Sequence, residues 1–398
     1  MIHVREFERP PRPLRLWASE VSTGLSFAAL REEWTDLLRA SAAGPFLSWA
    51  WLYPWWRRVA PQVQPRVLVA RDEAGKLVGV LPLGESQERR SGVPVTRWGF
   101  LGDSWVGSDY LEVLAPRGRE RELTGFFAEQ LAEKARRFDV LELLDLPRGS
   151  PLGEEVLARL ASGALRADRA PRAVCPLVKI EGDFEAYLRS VGRSDNLSRR
   201  KRWVVAQPGF ALERVEEPRA AALALTEFFR LHALRWEKDG GSQGIQGPAL
   251  RSFHRDATAL LAKDGMLRLY TLRLGARAVA SVYGIVLGDR FYYYQSGYDP
   301  EYARRSVGLV LLGETLADAF RERRVAFELL RGSEPYKFEW ANDRRETEAV
   351  RVVRRTAGGA AWLATTDGVK AVKAAVRHAL GDARWARLQR WRRARRRG

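Results

Sequence analysis

The chain has 398 residues, 46% of them hydrophobic, which is enough for two or three packed cores. Its net charge is +18, from 67 basic and 49 acidic residues. No apolar run reaches the roughly 18 residues of a spanning helix, Met1-Ile2-His3-Val4-Arg5-Glu6 has no apolar signal core, and the single Cys175 rules out a disulfide framework, so a cytoplasmic protein is expected. Four histidines without metal-ligand spacing argue against zinc.

Residues 1–20, with Pro10-Pro11-Arg12-Pro13, read as an extended leader. Phe27, Leu30, Trp34, Leu37 and Leu38 recur at helical spacing, and Trp49 to Trp56 continues as an aromatic helical cluster. Val67 to Ala70, a Gly75 turn and Leu77 to Leu83 predict a β-hairpin. Strands follow at Arg97 to Leu101 and Tyr110 to Leu114, then a helix over Glu120 to Phe138 and a strand over Val140 to Leu144. Pro147 to Pro151 is a short break, and Ala161 to Pro176, rich in Ala, Arg, Gly and Pro, reads as a linker.

The plan then repeats. Phe184 to Leu188 opens a short helix, and Asn196 to Val205 is strongly basic. Ala220 to Trp236 and Pro248 to Leu261 are helices, and Met266 to Leu274 with Ala278 to Leu287 makes a second hairpin around Gly275. A strand over Arg290 to Ser296, a helix over Gly308 to Arg321 and a strand over Val325 to Leu330 complete the half; Gly358-Gly359 ends it. The two halves give the same element order without evident identity. The expected division is a leader at 1–20, one domain at 21–165, a second at 175–358 and a tail at 359–398.

Chemistry concentrates in the second half. An aromatic strand, Phe291-Tyr292-Tyr293-Tyr294-Gln295-Ser296-Gly297-Tyr298, runs through Asp299-Pro300 into Arg304-Arg305-Ser306-Val307-Gly308-Leu309 and an apolar helix. Helix-opening amides lack intrahelical partners and the dipole favours negative charge there. Arg304 and Arg305 add fixed charge, and Gly308 allows close backbone approach. Such a loop suits a phosphate or pyrophosphate, as on coenzyme A or a nucleic acid.

Arg305-x-x-Gly308-x-Val310 resembles the signature of the GNAT acyltransferases, with Val310 where glycine or alanine is usual. The string from Tyr292 to Tyr298, through Gly308-Leu309, to Arg331-Gly332-x-Glu334-Pro335-Tyr336-Lys337 resembles the BioF2-like acetyltransferases. That group includes the cellulose-biosynthesis CelD proteins and is related to the FemABX aminoacyl transferases. His232-x-x-Arg235-Trp236 and Leu101-Gly102…Ser108-Asp109-Tyr110 are similar to it as well, over about residues 25–355. The resemblance implies an α/β (α+β) fold of two tandem GNAT-like domains, each a mixed, mostly antiparallel sheet flanked by helices, with a cleft between. It further implies an N-acyltransferase that moves an acetyl or other acyl group from acyl-CoA, held at Arg304 to Leu309, to an amine on a sugar or envelope precursor. A FemABX-like enzyme using aminoacyl-tRNA, with RNA on the basic segment and tail, is the alternative; a non-catalytic scaffold of a polysaccharide synthase is another.

Direct acyl transfer needs an anion cradle, an oxyanion stabiliser and a proton acceptor. The resemblance places Lys337 near the reacting carbonyl; otherwise it is a surface lysine paired with Glu334 or Glu339. His232 titrates near neutrality and either takes the amine proton or is a structural helix-face histidine. Arg235 suits an anionic substrate group, Tyr294 is a candidate to face the cleft, and Asp109 to shape the acceptor site. Residues 370–398 hold eleven basic residues against Asp382 alone, +10 of the total, with Trp385, Leu388 and Trp391 on one helical face. That tail suits an anionic membrane at its inner face, RNA, or solvent.

Overall fold

The computed structural model describes residues 15–103, 106–161, 163–237, 245–332 and 334–366. The first hairpin forms where alternation and the Gly75 turn, at φ +76°, place it: β2 (Gln64–Arg71) pairs with β3 (Leu77–Arg90). β1 (Trp17–Val21) adds to β2 and β4 (Val93–Phe100) to β3, all antiparallel. β5 (Val140–Pro147) then runs parallel to β4 over three residue pairs, Arg97 to Gly99 against Val140 to Glu142. Part of the expected leader is therefore β1. The strand expected at Tyr110 to Leu114 is not one, and only Leu114 bridges to Val80.

The expected linker is also a strand. β6 (Leu165–Lys179) carries only exposed or half-buried side chains, arginines among alanines, until its buried end, Cys175 to Val178, which hid it from an apolar-pattern reading. Its Pro171 lies beside the register shift between Thr347 and Glu348, where the ladder tolerates a missing N–H.

The second half repeats the first. β7 (Phe210–Val215), β8 (Leu267–Leu274), β9 (Arg277–Leu287) and β10 (Arg290–Tyr298) are antiparallel, and β11 (Ala326–Glu328) is parallel to β10 over three pairs. β12 (Asp343–Arg354) closes the set. The last strands are exchanged: β12 inserts between β5 and β6, while β6 pairs with β11. Among the described residues one sheet of twelve strands results, ordered β1-β2-β3-β4-β5-β12-β6-β11-β10-β9-β8-β7.

Helices cover this sheet. In the first half they are α1 (Gly24–Ala29), α2 (Arg31–Arg39), α3 (Trp49–Arg58), α4 (Glu120–Glu133) and α5 (Pro151–Leu160). The second half has α6 (Phe184–Ser190), α7 (Ser194–Val205), α8 (Pro218–Trp236), α9 (Pro248–Lys263), α10 (Val307–Arg321) and α11 (Pro335–Trp340). Proline opens α5, α8, α9 and α11, where its missing N–H has no helical partner to lose. Residues 357–366 are helical, so Gly358-Gly359 starts an element rather than ending one.

An aromatic core joins the halves. Trp51 of α3 meets Phe253 of α9 edge-on at 4.9 Å and Tyr294 of β10 at 5.1 Å between ring centroids. Arg58 of α3 pairs with Asp256 of α9 at 2.6 Å.

Candidate active site

The site lies where β10 and β11 part. Their pairing ends at Tyr292 and Glu328, and the strands diverge beyond it. β10 continues through Tyr293 to Tyr298, turns at Asp299, whose side chain accepts from the Glu301 amide at 3.1 Å, and enters α10. Ser306, the residue before α10, is left-handed at φ +55° and does not cap the helix with its side chain. The Ser306 hydroxyl instead receives a hydrogen bond from Arg200 of α7. The amides of Val307 and Gly308 open the helix and make no turn bond, so they remain available to an anion. A Cβ on Gly308 would sit 3.2 Å from the Tyr298 ring, so glycine keeps this edge clear. Arg304 and Arg305 are exposed, and Arg305 stacks on Trp203 of α7 at 4.5 Å.

Two cavities of about 190 Å³ each adjoin here. The first opens beside Ser306, Gly308 and Leu309 and is walled by Tyr298, Leu312 and Trp340, a largely apolar slot. The second is polar and ends on Glu334, Lys337, Asp109 and Gln295. Arg235, Tyr293, Ser296 and Tyr336 line both. These four residues form a shared waist in a channel that runs from the helix N-terminus to the polar chamber.

Arg235 reaches this waist because α8 lies hard against β10: a Cβ on Gly297 would come within 2.3 Å of the His232 nitrogen. Its guanidinium donates to the Ser296 carbonyl and hydroxyl, both at 3.3 Å, and lies within 6 Å of the Trp236, Tyr298 and Tyr336 rings. Among the described residues it has no ion-pair partner, so its charge faces the channel.

At the chamber's end Lys337 is buried and donates to the Arg331 carbonyl at 2.6 Å. Its Nζ lies 3.4 Å from Glu334 Oε2, which accepts no well-aligned hydrogen bond. Burial lowers the Lys337 pKa, and Glu334 and Asp109 oppose that shift. Gly332, at φ +148°, is required between them: a Cβ there would overlap Glu334 Oε2 at 2.0 Å and Lys337 Nζ at 2.5 Å. Pro335 then starts α11, directing Tyr336 to the waist and Lys337 to the chamber.

The other sequence candidates have distinct places. Asp109 lines the chamber, but its fully buried carboxylate is occupied by Arg331, accepting from the backbone amide at 3.0 Å and from the guanidinium. Arg331 also meets Asp145 at 3.0 Å, and Asp145 meets Arg172 at 2.8 Å, an ion network spanning both halves. Burial raises the Asp109 pKa, against Arg331. Tyr294 walls the chamber with its hydroxyl donated to the Val106 carbonyl at 2.6 Å. His232 lines neither cavity; it is buried beside Phe228 and Trp236, and burial, with Arg235 nearby, pushes it down to about 3. Val307 is buried and Leu309 half-buried at the slot.

Sequence reasoning singled out Lys337 but passed over Glu334, Tyr336 and Tyr293. Their signal lay in Arg331-Gly332-x-Glu334-Pro335-Tyr336-Lys337, a glycine turn followed by a proline-started helix. Among the described residues no group of His, Cys, Asp and Glu could hold a metal, and no helix is long and apolar enough to cross a membrane. Residues 367–398, which include the whole basic run of 370–398, lie outside the described residues.

Residues 192–338 match the family model of the acetyltransferase (GNAT) domain. They include α7 and every second-half residue lining the two cavities except Trp340. The crystal structure of FemX superposes with a TM-score of 0.57 at 12% identity, over 84% of this chain and 96% of that one. The C-terminal domain of a proposed lysylphosphatidylglycerol synthetase from Agrobacterium fabrum gives 0.51 at 14% identity, over 86% and 96%. No curated protein matches the chain. Residues 192–338 thus resemble a GNAT domain, and the chain as a whole shares the fold of FemX.

Proposed function

We propose that the protein is an N-acyltransferase that moves an acyl group from acyl-CoA to an amine. One observation carries this reading: an apolar slot that starts at free helix amides meets a polar chamber that ends on a lysine and a carboxylate. The donor's phosphates suit the Val307 and Gly308 amides with Arg200, Arg304 and Arg305 around them, and its pantetheine arm suits the slot. In the step, the neutral amine attacks the thioester carbonyl, the C–N bond forms and the C–S bond breaks. The amine's proton passes to the departing thiolate, directly or by way of the Glu334 carboxylate, giving an amide and a free thiol. Lys337, held by the Arg331 carbonyl, is the cation that stabilises the oxyanion. Glu334 holds the acceptor's amine, and Arg235 an anionic group of either substrate. The acceptor's identity, including a sugar or envelope amine, rests on resemblance alone.

A second reading is favoured by one feature. α7 presents Arg199, Lys201 and Arg202 to solvent next to Ser306, a surface that would suit a tRNA carrying an aminoacyl ester in the same channel. Titrating the protein by calorimetry with a panel of acyl-CoAs and charged tRNAs separates the two. The proposal expects saturable acyl-CoA binding with one site per chain. Binding of charged tRNA alone would replace acyl-CoA with aminoacyl-tRNA as donor.

A further inference from the structure

The charges and the size of the polar chamber define its second substrate more narrowly than as an amine. Five charged residues line the chamber: Asp109, Arg235, Arg331, Glu334 and Lys337. Asp109 and Asp145 both pair with Arg331, and Asp145 also pairs with Arg172, so these four charges cancel. Glu334 faces Lys337 at 3.4 Å, and these two cancel as well. Arg235 remains, without an ion pair among the described residues. With each group in its ordinary charge state, the chamber carries one positive charge in excess.

Arg235 is held in place but not saturated. Its Nη1 donates to the Ser296 carbonyl and hydroxyl. Its Nε and Nη2 make no hydrogen bond among the described residues. Those two nitrogens share one edge of the guanidinium, the fork that meets both oxygens of a carboxylate. Glu334 offers the opposite polarity, because its buried Oε2 accepts no well-aligned hydrogen bond. The two groups act on one another: burial works against the Arg235 charge, but Tyr336, Tyr293, Tyr298 and Glu334 outweigh it and raise the pKa. Both line a single cavity of about 190 Å³, smaller than the roughly 300–1,000 Å³ of sites for drug-sized ligands. A molecule that meets both groups is therefore small.

The donor leaves Arg235 unmatched. Its phosphates suit the Val307 and Gly308 amides at the other end of the slot, and an acetyl thioester is uncharged. The matching anion then belongs to the acceptor. An amino acid in its reacting form, a neutral amine with a carboxylate, carries one negative charge and balances the chamber. An amino sugar would leave the guanidinium buried and unpaired, and a polyamine would add a cation, both at a cost. A phosphomonoester, with close to two charges, exceeds the single excess.

We propose that the acceptor is a small aminocarboxylate, an amino acid or a near homologue, with its carboxylate on Arg235 and its amine on Glu334. The proposal rests on the acyl-transfer reading and names the acceptor within it. The amine nitrogen bonds to the acyl carbon as the C–S bond breaks, and its proton passes to the thiolate, directly or by way of Glu334. The products are an N-acyl amino acid and the free thiol of coenzyme A.

Thiol release from acetyl-CoA by the full chain tests it, with the common amino acids, β-alanine, their primary amides, glucosamine and putrescine as acceptors. At least one amino acid should exceed its own amide, glucosamine and putrescine in kcat/KM by about tenfold or more, the factor that a hydrogen bond to a charged group brings. The difference should lie mainly in KM. Arg235→Gln should bring the ratio of acid to amide close to one, whereas a general loss of structure would lower both substrates and keep their ratio. The proposal is overturned, with acyl transfer intact, if glucosamine, putrescine or the amides match the amino acids, if no amino acid accepts the acetyl group, or if the ratio survives Arg235→Gln. It is also overturned if succinyl-CoA binds the wild type about tenfold more tightly than acetyl-CoA and loses that advantage in Arg235→Gln, which would give Arg235 to the donor. Failure of acetyl-CoA to bind in calorimetry would remove the acyl-transfer reading and the proposal together.

Discussion

The two halves share one strand plan but differ at the point where their parallel strands part. In the second half the divergence of β10 and β11 leaves the channel open, with Arg235 unpaired across its waist. In the first half the corresponding divergence of β4 and β5, after Gly99 and Glu142, is plugged. Arg97 meets Asp103 at 2.8 Å and Glu142 at 3.4 Å, and its guanidinium lies over Gly99, 2.7 Å from where a Cβ would be. Asp103, buried with Glu142 and Asp145 nearby, is pushed up to about 6 although Arg97 opposes the shift. The same backbone geometry is thus filled where charges are paired across it and left as an open cavity, the candidate site, where a cation is unpaired.

The comparison can be broken from either side. Arg97→Met removes the cation and leaves a buried carboxylate behind. Breaking a buried pair this way costs about 3–5 kcal/mol. Urea unfolding should show a loss of that order, with acyl-CoA affinity unchanged in the folded protein. A loss under about 1 kcal/mol would mean the plug is not structural.

Lys337→Ala addresses the open side. Losing one oxyanion stabiliser costs about 10²–10³ in turnover, with little change in donor binding. Because burial lowers its pKa, Lys337 should lose its charge, and activity should fall on the alkaline side, before the ordinary lysine value of 10.5. Full turnover in the variant, measured with any acceptor found, would return Lys337 to a structural role.

His232 is read through pH rather than through affinity or turnover. Its folded pKa, about 3, is below the ordinary 6.5. The unfolded chain therefore binds the extra proton between these values. This part of the stability is complete above pH 6.5 and declines as the pH falls toward 3, by at most about 1.4 kcal/mol per pH unit. His232→Gln should flatten that slope in acid-unfolding curves; an unchanged slope would show that the proton binds elsewhere.

Much of this was legible in the sequence because local signals agreed. Both hairpins had alternation and a glycine turn, and α10 had its loop and apolar face. The exchange of β6 and β12 was not legible. Pairing between strands so far apart in sequence leaves no local trace, and the half-exposed faces of β6 mimic a linker. Lys337 was legible from the string around it. Glu334 and Tyr336 stood in the same string, but their places in the cavities were not legible, because these depend on Gly332 bringing a turn against a helix start. His232 was left between a proton acceptor and a structural histidine by the chemistry of its residue type; its position under β10 is set by Gly297, which spacing along α8 does not reveal.

The central claim is that the open divergence of the second half holds the donor. Calorimetric titration of acetyl-CoA into the wild-type chain and into Gly308→Asp tests it most directly. The account predicts one site in the wild type, and at least a tenfold loss when bulk and negative charge are placed beside the Val307 and Gly308 amides. Equal affinity in the two proteins would contradict it.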